Sequence, residues 1–214
     1  MSASPAPRKR RKEARPSELL AAALDLFVEK GYAATRLEDV ASRAGVSKGT
    51  LYLYYENKEA LFKAVIQEGI VPVIAENEAI AAQHTGSSFD LMKKLLANWW
   101  TKIGLTAFAG IPKLMVAEAR NFPELGRYYV ENVINRGRAL VGSALKRGME
   151  SGEFRRMDVE TTIDVVIAPI LMLLIWRYSM SCCVGSEGNP QLYLQIHEDL
   201  LQHGLCRMEK ESQV

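Results

Sequence analysis

Apolar residues recur at helical spacing along almost the whole chain, and no segment alternates with the period of two that marks a strand. Residues 17–30 carry Leu20, Ala23, Leu24 and Phe27 on one face and stop at Gly31. Thr35 and Glu38 have the spacing of a capping box for the next helix. Two short helices are predicted across 37–55, and Asn57 can cap a long helix over about 57–82. Residues 89–108 form an apolar helix ended by Gly110–Pro112, and another runs to about Arg120. Pro123 opens a helix reaching about Gly152, Asp158 can cap one to about Ser181, and Pro190 opens the last, to about Glu209. The pattern predicts an all-α fold of about nine helices, with neither an internal repeat nor a heptad pattern.

The segment 37–58 carries the most specific local signals. Ala41 is small where two helices would cross, and Gly45 can take the positive φ of a tight turn. Val40, Val46 and Leu51 are placed to join the two helices. Ser47 suits the N-cap of the second helix, and Lys48, Gly49 and Thr50 fall on its first turn. Gly49 costs a helix roughly 1 kcal/mol against Ala, a cost that makes sense if the backbone must approach another surface closely. Short helix, glycine turn, then a helix opening on small polar and basic residues is the layout of a helix-turn-helix, whose second helix enters the DNA major groove.

The residues Thr35, Val40-Ala41, Ala44-Gly45-Val46-Ser47-Lys48-Gly49-Thr50-Leu51-Tyr52, Tyr54-Tyr55, Lys58-Glu59 and Leu61 resemble the N-terminal signature of TetR/AcrR-type bacterial transcriptional regulators. The resemblance covers about residues 16–65 and departs from the usual pattern at Tyr55, where Phe is more frequent. It implies an N-terminal three-helix DNA-binding domain followed by a helical ligand-binding and dimerisation domain, nine helices in all. Ser47, Lys48, Gly49, Thr50 and Tyr52 would then meet DNA from the recognition helix. Tyr54 and Lys58 would hold phosphates, and Thr35 would cap the preceding helix beside the DNA backbone. The expected organisation is a basic arm at 1–15, the DNA-binding domain at 16–60, the second domain at 61–209 and a tail at 210–214.

Charge sharpens this division. The 214 residues carry a net charge of only +2. Residues 1–15 hold six Lys/Arg (Arg8, Lys9, Arg10, Arg11, Lys12, Arg15) against Glu13 alone, so the remainder is mildly acidic. The arm follows a Pro/Ser/Ala stretch that cannot build a core. It suits phosphate tracking or minor-groove entry, although a solvated tail has the same composition.

The second domain is expected to supply a pocket and a dimer face. Trp99, Trp100, Phe108, Met115, Phe122, Tyr128, Met172 and Trp176 are aromatic and methionine residues suited to a hydrophobic or aromatic inducer, and equally to a core. Glu118 and Arg120 stand beside them as polar anchors or as solvated surface. The helix at 158–181 is apolar nearly all round. The resemblance implies that it packs with 190–209 as a four-helix dimer interface, with Ile163, Ile167, Ile170, Leu174, Leu194 and Leu201 as the expected contacts. The expected partners are therefore a double-stranded, near-palindromic DNA operator, a second copy of the chain and an unidentified small-molecule inducer, with repression rather than activation.

Other classes find little support. Val165–Trp176 is only twelve residues long and contains Pro169, against the roughly 20 of a membrane span. No apolar stretch follows the charged N-terminus as in a signal peptide, so the expected setting is the bacterial cytoplasm. Cys182, Cys183 and Cys206 are an odd set, not a disulfide framework. His84, His197 and His203 form no metal motif, and no HExxH, CxxC, GxSxG or phosphate-cradling glycine loop is present. No catalytic residue, metal ligand or cofactor is expected. A DNA-packaging protein lacking an inducer is the alternative that survives.

Overall fold

The computed structural model describes residues 16–180, 183 and 188–207. The basic-arm residues Arg8, Lys9, Arg10, Arg11 and Lys12, together with Cys182 and the 210–214 tail, lie outside the described residues. The chain forms two compact units that divide at Glu68/Gly69, later than the boundary expected after residue 60.

The first unit is built from α1 (Pro16–Lys30), α2 (Leu37–Arg43), α3 (Lys48–Tyr54) and all but the last residue of α4 (Lys58–Gly69). Its core centres on Phe27, Tyr32 and Phe62, whose ring centroids lie 5.4–5.6 Å apart. Phe27 and Phe62 are stacked edge to face, a preferred geometry for aromatic quadrupoles. Leu51 of α3 and Val40 and Ala41 of α2 complete that core. Asn57 accepts from the Ala60 N–H at 2.8 Å and so caps α4.

The second unit contains α5 (Val71–Gln83), α6 (Ser88–Trp99), α7 (Ile111–Glu118), α8 (Pro123–Tyr129), α9 (Asn135–Glu150), α10 (Val159–Ser179) and α11 (Pro190–Leu205). A π-turn at Trp100–Gly104 extends α6, and another at Val130–Ile134 joins α8 to α9. Counting stretches interrupted by one residue or a π-turn as single, the described residues form nine helical segments without a strand. The long helix expected over 57–82 is broken at Ile70. Pro72 lies in the first turn of α5 and has no N–H to continue the α4 ladder.

Phe89, Met92, Leu95, Leu145, Phe154, Ile163, Val166 and Leu201 form the main core of this unit. Long-range polar contacts tie its ends together. The Glu153 carboxylate accepts from the Ser88 and Phe89 N–H groups at 2.6 and 2.9 Å, so the loop after α9 caps α6 beside Ser87. Phe154 and Cys206 form an isolated antiparallel bridge that holds the same loop to the end of α11. Asp158 caps α10 by accepting from the Thr161 N–H at 2.8 Å.

By length and composition α10 could cross a membrane. One stripe of it, Ile163, Val166, Ile170 and Leu174, is buried in its own unit, and Arg138 of α9 pairs with Glu160 and Asp164 near its start.

Candidate nucleic-acid interface

The turn between α2 and α3 is a complete Schellman motif. Gly45 has φ +72°. Val46 N–H donates to Ala41 O at 2.9 Å and Gly45 N–H to Ser42 O at 3.1 Å, satisfying carbonyls at the end of α2. Val46 and Val40 are both buried, as the apolar positions of this motif commonly are. The Ser47 hydroxyl oxygen then accepts from the Thr50 N–H at 3.1 Å and lies 2.8 Å from the Thr50 hydroxyl. The angle between α2 and α3 is thus set within ten residues, by one positive φ and one cap.

These constraints bury Leu51 and turn the rest of α3 outward. Ser47, Lys48, Gly49, Tyr52 and Tyr54 are exposed, and Thr50 is half-buried. An alanine methyl at Gly49 would meet only the Ser47 Oγ, at 3.8 Å, so no internal packing requires glycine there. Lys48 Nζ lies 2.5 Å from Glu38 Oε1 and 5.6 Å from the Tyr52 ring centroid. The Glu38 carboxylate raises the Lys48 pKa by hydrogen bonding, and Lys48 lowers that of Glu38. Both groups are charged at neutral pH. Leu53, which the sequence pattern did not single out, is 85% exposed between the two exposed tyrosines. The signal for it was available: two positions after the inward Leu51, a helix faces roughly the opposite way.

Thr35 and Lys58 are bonded within their own unit. Thr35 is 1% exposed, and its hydroxyl donates to Leu26 O at 3.1 Å and Gly31 O at 2.7 Å. It caps the C-terminal end of α1, the preceding helix, as the resemblance implies. The capping box with Glu38 does not form, since Arg36 occupies the N-cap of α2 without a side-chain hydrogen bond. Lys58 Nζ donates to the carbonyls of Tyr32, Ala33 and Thr35 at 2.7, 3.1 and 3.0 Å. All three ammonium donors are committed to backbone, leaving none for a phosphate.

In the second unit two of the eight expected pocket residues are exposed, and four of the six expected dimer contacts are buried. Met172 and Trp176, assigned to a pocket, are 56% and 51% exposed on α10. Ile163, Ile170, Leu174 and Leu201, assigned to a dimer face, are buried in their own unit, while Ile167 and Leu194 are half-buried against it. Trp100 and Met115 are buried, and Trp99, Phe108, Phe122 and Tyr128 half-buried. The exposed apolar face of α10 and α11 consists instead of Val165, Met172, Trp176, Leu192, Ile196 and Leu200. A helix apolar on every side carries no periodic signal for which side faces its own core.

Comparison with known proteins agrees with the geometry. Residues 19–65 match the model for bacterial regulatory proteins of the tetR family, and residues 82–180 match that for the tetracyclin repressor-like C-terminal domain. The chain is 29% identical over 167 residues to the HTH-type transcriptional regulator YdeS of Bacillus subtilis, covering 77% of this chain and 80% of that one. Its fold resembles FadR from Bacillus subtilis, solved with stearoyl-CoA, at TM-score 0.73 and 19% identity, over 89% of this chain and 99% of that one. A transcriptional regulator from Saccharomonospora viridis, solved with choline, superposes at TM-score 0.74 and 17% identity, over 90% and 98% of the two chains. The two family matches, one over the N-terminal helix-turn-helix and one over most of the all-helical second unit, place the chain in the TetR family of transcriptional regulators.

Proposed function

We propose that the chain is a ligand-responsive repressor that binds a near-palindromic operator as a homodimer and leaves it when a small molecule occupies the second unit. The observation that carries the reading is the outward face of α3. It opens on a capped N-terminus whose N–H groups and positive dipole end suit phosphate, followed by Lys48, Gly49 and Thr50 and then Tyr52 and Tyr54. Leu53 adds an apolar group suited to a thymine methyl. Phosphate contacts would set register, and the α3 side chains would read bases. The second copy would seat on the exposed face of α10 and α11, where Leu192, Ile196 and Leu200 recur every four residues. A two-fold pair presents two recognition helices about one DNA turn apart.

Release would run through α4. Its first residue, Lys58, is bonded to the α1–α2 turn. Its last, Gly69, lies so close to Phe108 that an added methyl would fall 1.9 Å from the ring. A ligand that moves Phe108 moves α4, and α4 carries the turn before α2. Such coupling is typically worth about 1–3 kcal/mol, and the inducer must favour the DNA-free form by that amount. The chain would act in the bacterial cytoplasm and carry out no chemistry of its own.

Hydroxyl-radical footprinting on a bound operator tests this reading. Two protected patches on one face, about 34–36 Å apart, are expected. Diffuse protection without a boundary would favour the packaging alternative.

A further inference from the structure

A second candidate site lies in the C-terminal unit and shares only Trp100 with the residues expected to line a pocket. A cleft of about 180 Å³ opens between α6, α10 and α11, walled by Phe89, Met92, Trp100, Ile170, Leu194 and Leu201. His197 lines the same cleft and is 8% exposed. Its Nε2 is buried with no hydrogen-bond partner among the described residues. Burial of a polar atom without a partner costs about 1–3 kcal/mol, so an unpaired nitrogen in an apolar wall marks where a ligand's polar group would be received.

The chemistry of that group follows from the ring. Burial in the apolar wall lowers the His197 pKa and favours the neutral ring. A neutral imidazole has one N–H and one lone pair. Nε2, the unpartnered atom, carries one or the other. A ligand hydroxyl, which both donates and accepts, meets either case. At the rim, Lys93 lies between Asp90, at 3.4 Å, and Glu198, at 3.5 Å, so the cleft offers no net positive charge to an anion. Its volume is close to the roughly 150 Å³ of an engineered cavity that holds benzene and below the roughly 300–1,000 Å³ of drug-sized sites.

We infer that this cleft binds a neutral single-ring phenol, its ring against Trp100 and Phe89 and its hydroxyl hydrogen-bonded to His197 Nε2. The inference deepens the reading of the second unit as an inducer domain and rests on it.

Calorimetric titration of the full chain with 4-methylphenol and with 1,4-dimethylbenzene, its isostere without the hydroxyl, tests the site. The phenol should bind at one per chain and about tenfold or more tighter than the hydrocarbon. His197→Leu should remove that preference. His197→Gln, which keeps a hydrogen-bonding side chain, guards against a variant that does not fold. In the unmodified protein, a long-range ¹H–¹⁵N spectrum should show the His197 ring nitrogens shifting on addition of the phenol. Equal affinity for the two compounds, no binding, or an unmoved His197 resonance would overturn the assignment. Because these titrations contain no DNA, their failure beside a successful operator selection removes this site and leaves the regulator. A failed selection beside phenol binding removes the regulator reading instead.

Discussion

The Lys58 ammonium lies 2.7 Å from the Tyr32 carbonyl and 4.5 Å from the Tyr32 ring centroid, so one lysine holds both the backbone and the side chain of the residue that closes the α1–α2 turn. Further bonds to Ala33 and Thr35 make α4 and this turn a single piece. Lys58→Met should therefore lower stability by about 2 kcal/mol in urea unfolding, the scale of losing hydrogen bonds to a charged group. Its dependence of log K on log salt for DNA should match the unmodified protein. A slope flatter by about 0.9 would instead show that Lys58 neutralises a phosphate.

Gly49 separates stability from binding. Nothing inside the chain crowds that position, so Gly49→Ala should stabilise α3 by about 0.5–1 kcal/mol. The same methyl would stand between the helix and the groove and weaken operator binding by about 1 kcal/mol or more. Thermal unfolding and a binding isotherm on one preparation check both signs. Unchanged affinity would mean that the backbone at Gly49 does not approach DNA.

Adjacent leucines on α11 have opposite roles. Leu200 is exposed and Leu201 buried against Phe89, Met92 and Val166. Leu200→Arg should leave the subunit folded and yield monomers in sedimentation velocity. Leu201→Ala should cost about 2–5 kcal/mol of stability through cavity formation. A Leu200→Arg protein that remained dimeric would place the second copy elsewhere.

His197 gives the stability a defined acid dependence. Its folded pKa lies below the ordinary value of about 6.5 because burial disfavours the charged ring. The unfolded chain therefore binds the proton first as pH falls. The contribution is fully present above about pH 6.5 and is lost as pH falls from there through the folded pKa, with a slope of at most about 1.4 kcal/mol per pH unit. His197→Gln should lack this loss. Glu198 and Lys93 of the same cleft are present in both proteins, so the difference between the two curves isolates the imidazole.

The helix-turn-helix was legible because its determinants are local. Gly45 supplies the positive φ, Ser47 caps the helix three residues before its hydrogen-bond donor, and Leu51 faces inward in one short stretch. The internal bonds of Thr35 and Lys58 were less legible because some of their partners lie further off in the chain. The hydroxyl of Thr35 reaches back to Leu26, and the ammonium of Lys58 reaches back to Tyr32. The cap of α6 by Glu153, from 65 residues away, has no local signature at all. On α10 the obstacle was different. Ile170, Leu171, Met172, Leu173 and Leu174 are all apolar, and only packing decides that Ile170 and Leu174 turn inward while Met172 turns outward. The break at Ile70 could have been read from Pro72, which sits where an uninterrupted helix needs an N–H.

The most direct test of the central claim is selection of bound sequences from a random DNA pool by the purified chain at physiological salt. The account predicts recovery of one near-palindromic motif whose half-sites lie about 10 base pairs apart, with Lys48→Ala weakening binding by about 1–3 kcal/mol and relaxing specificity within it. Enrichment of no motif, with affinity set by salt alone, would contradict it.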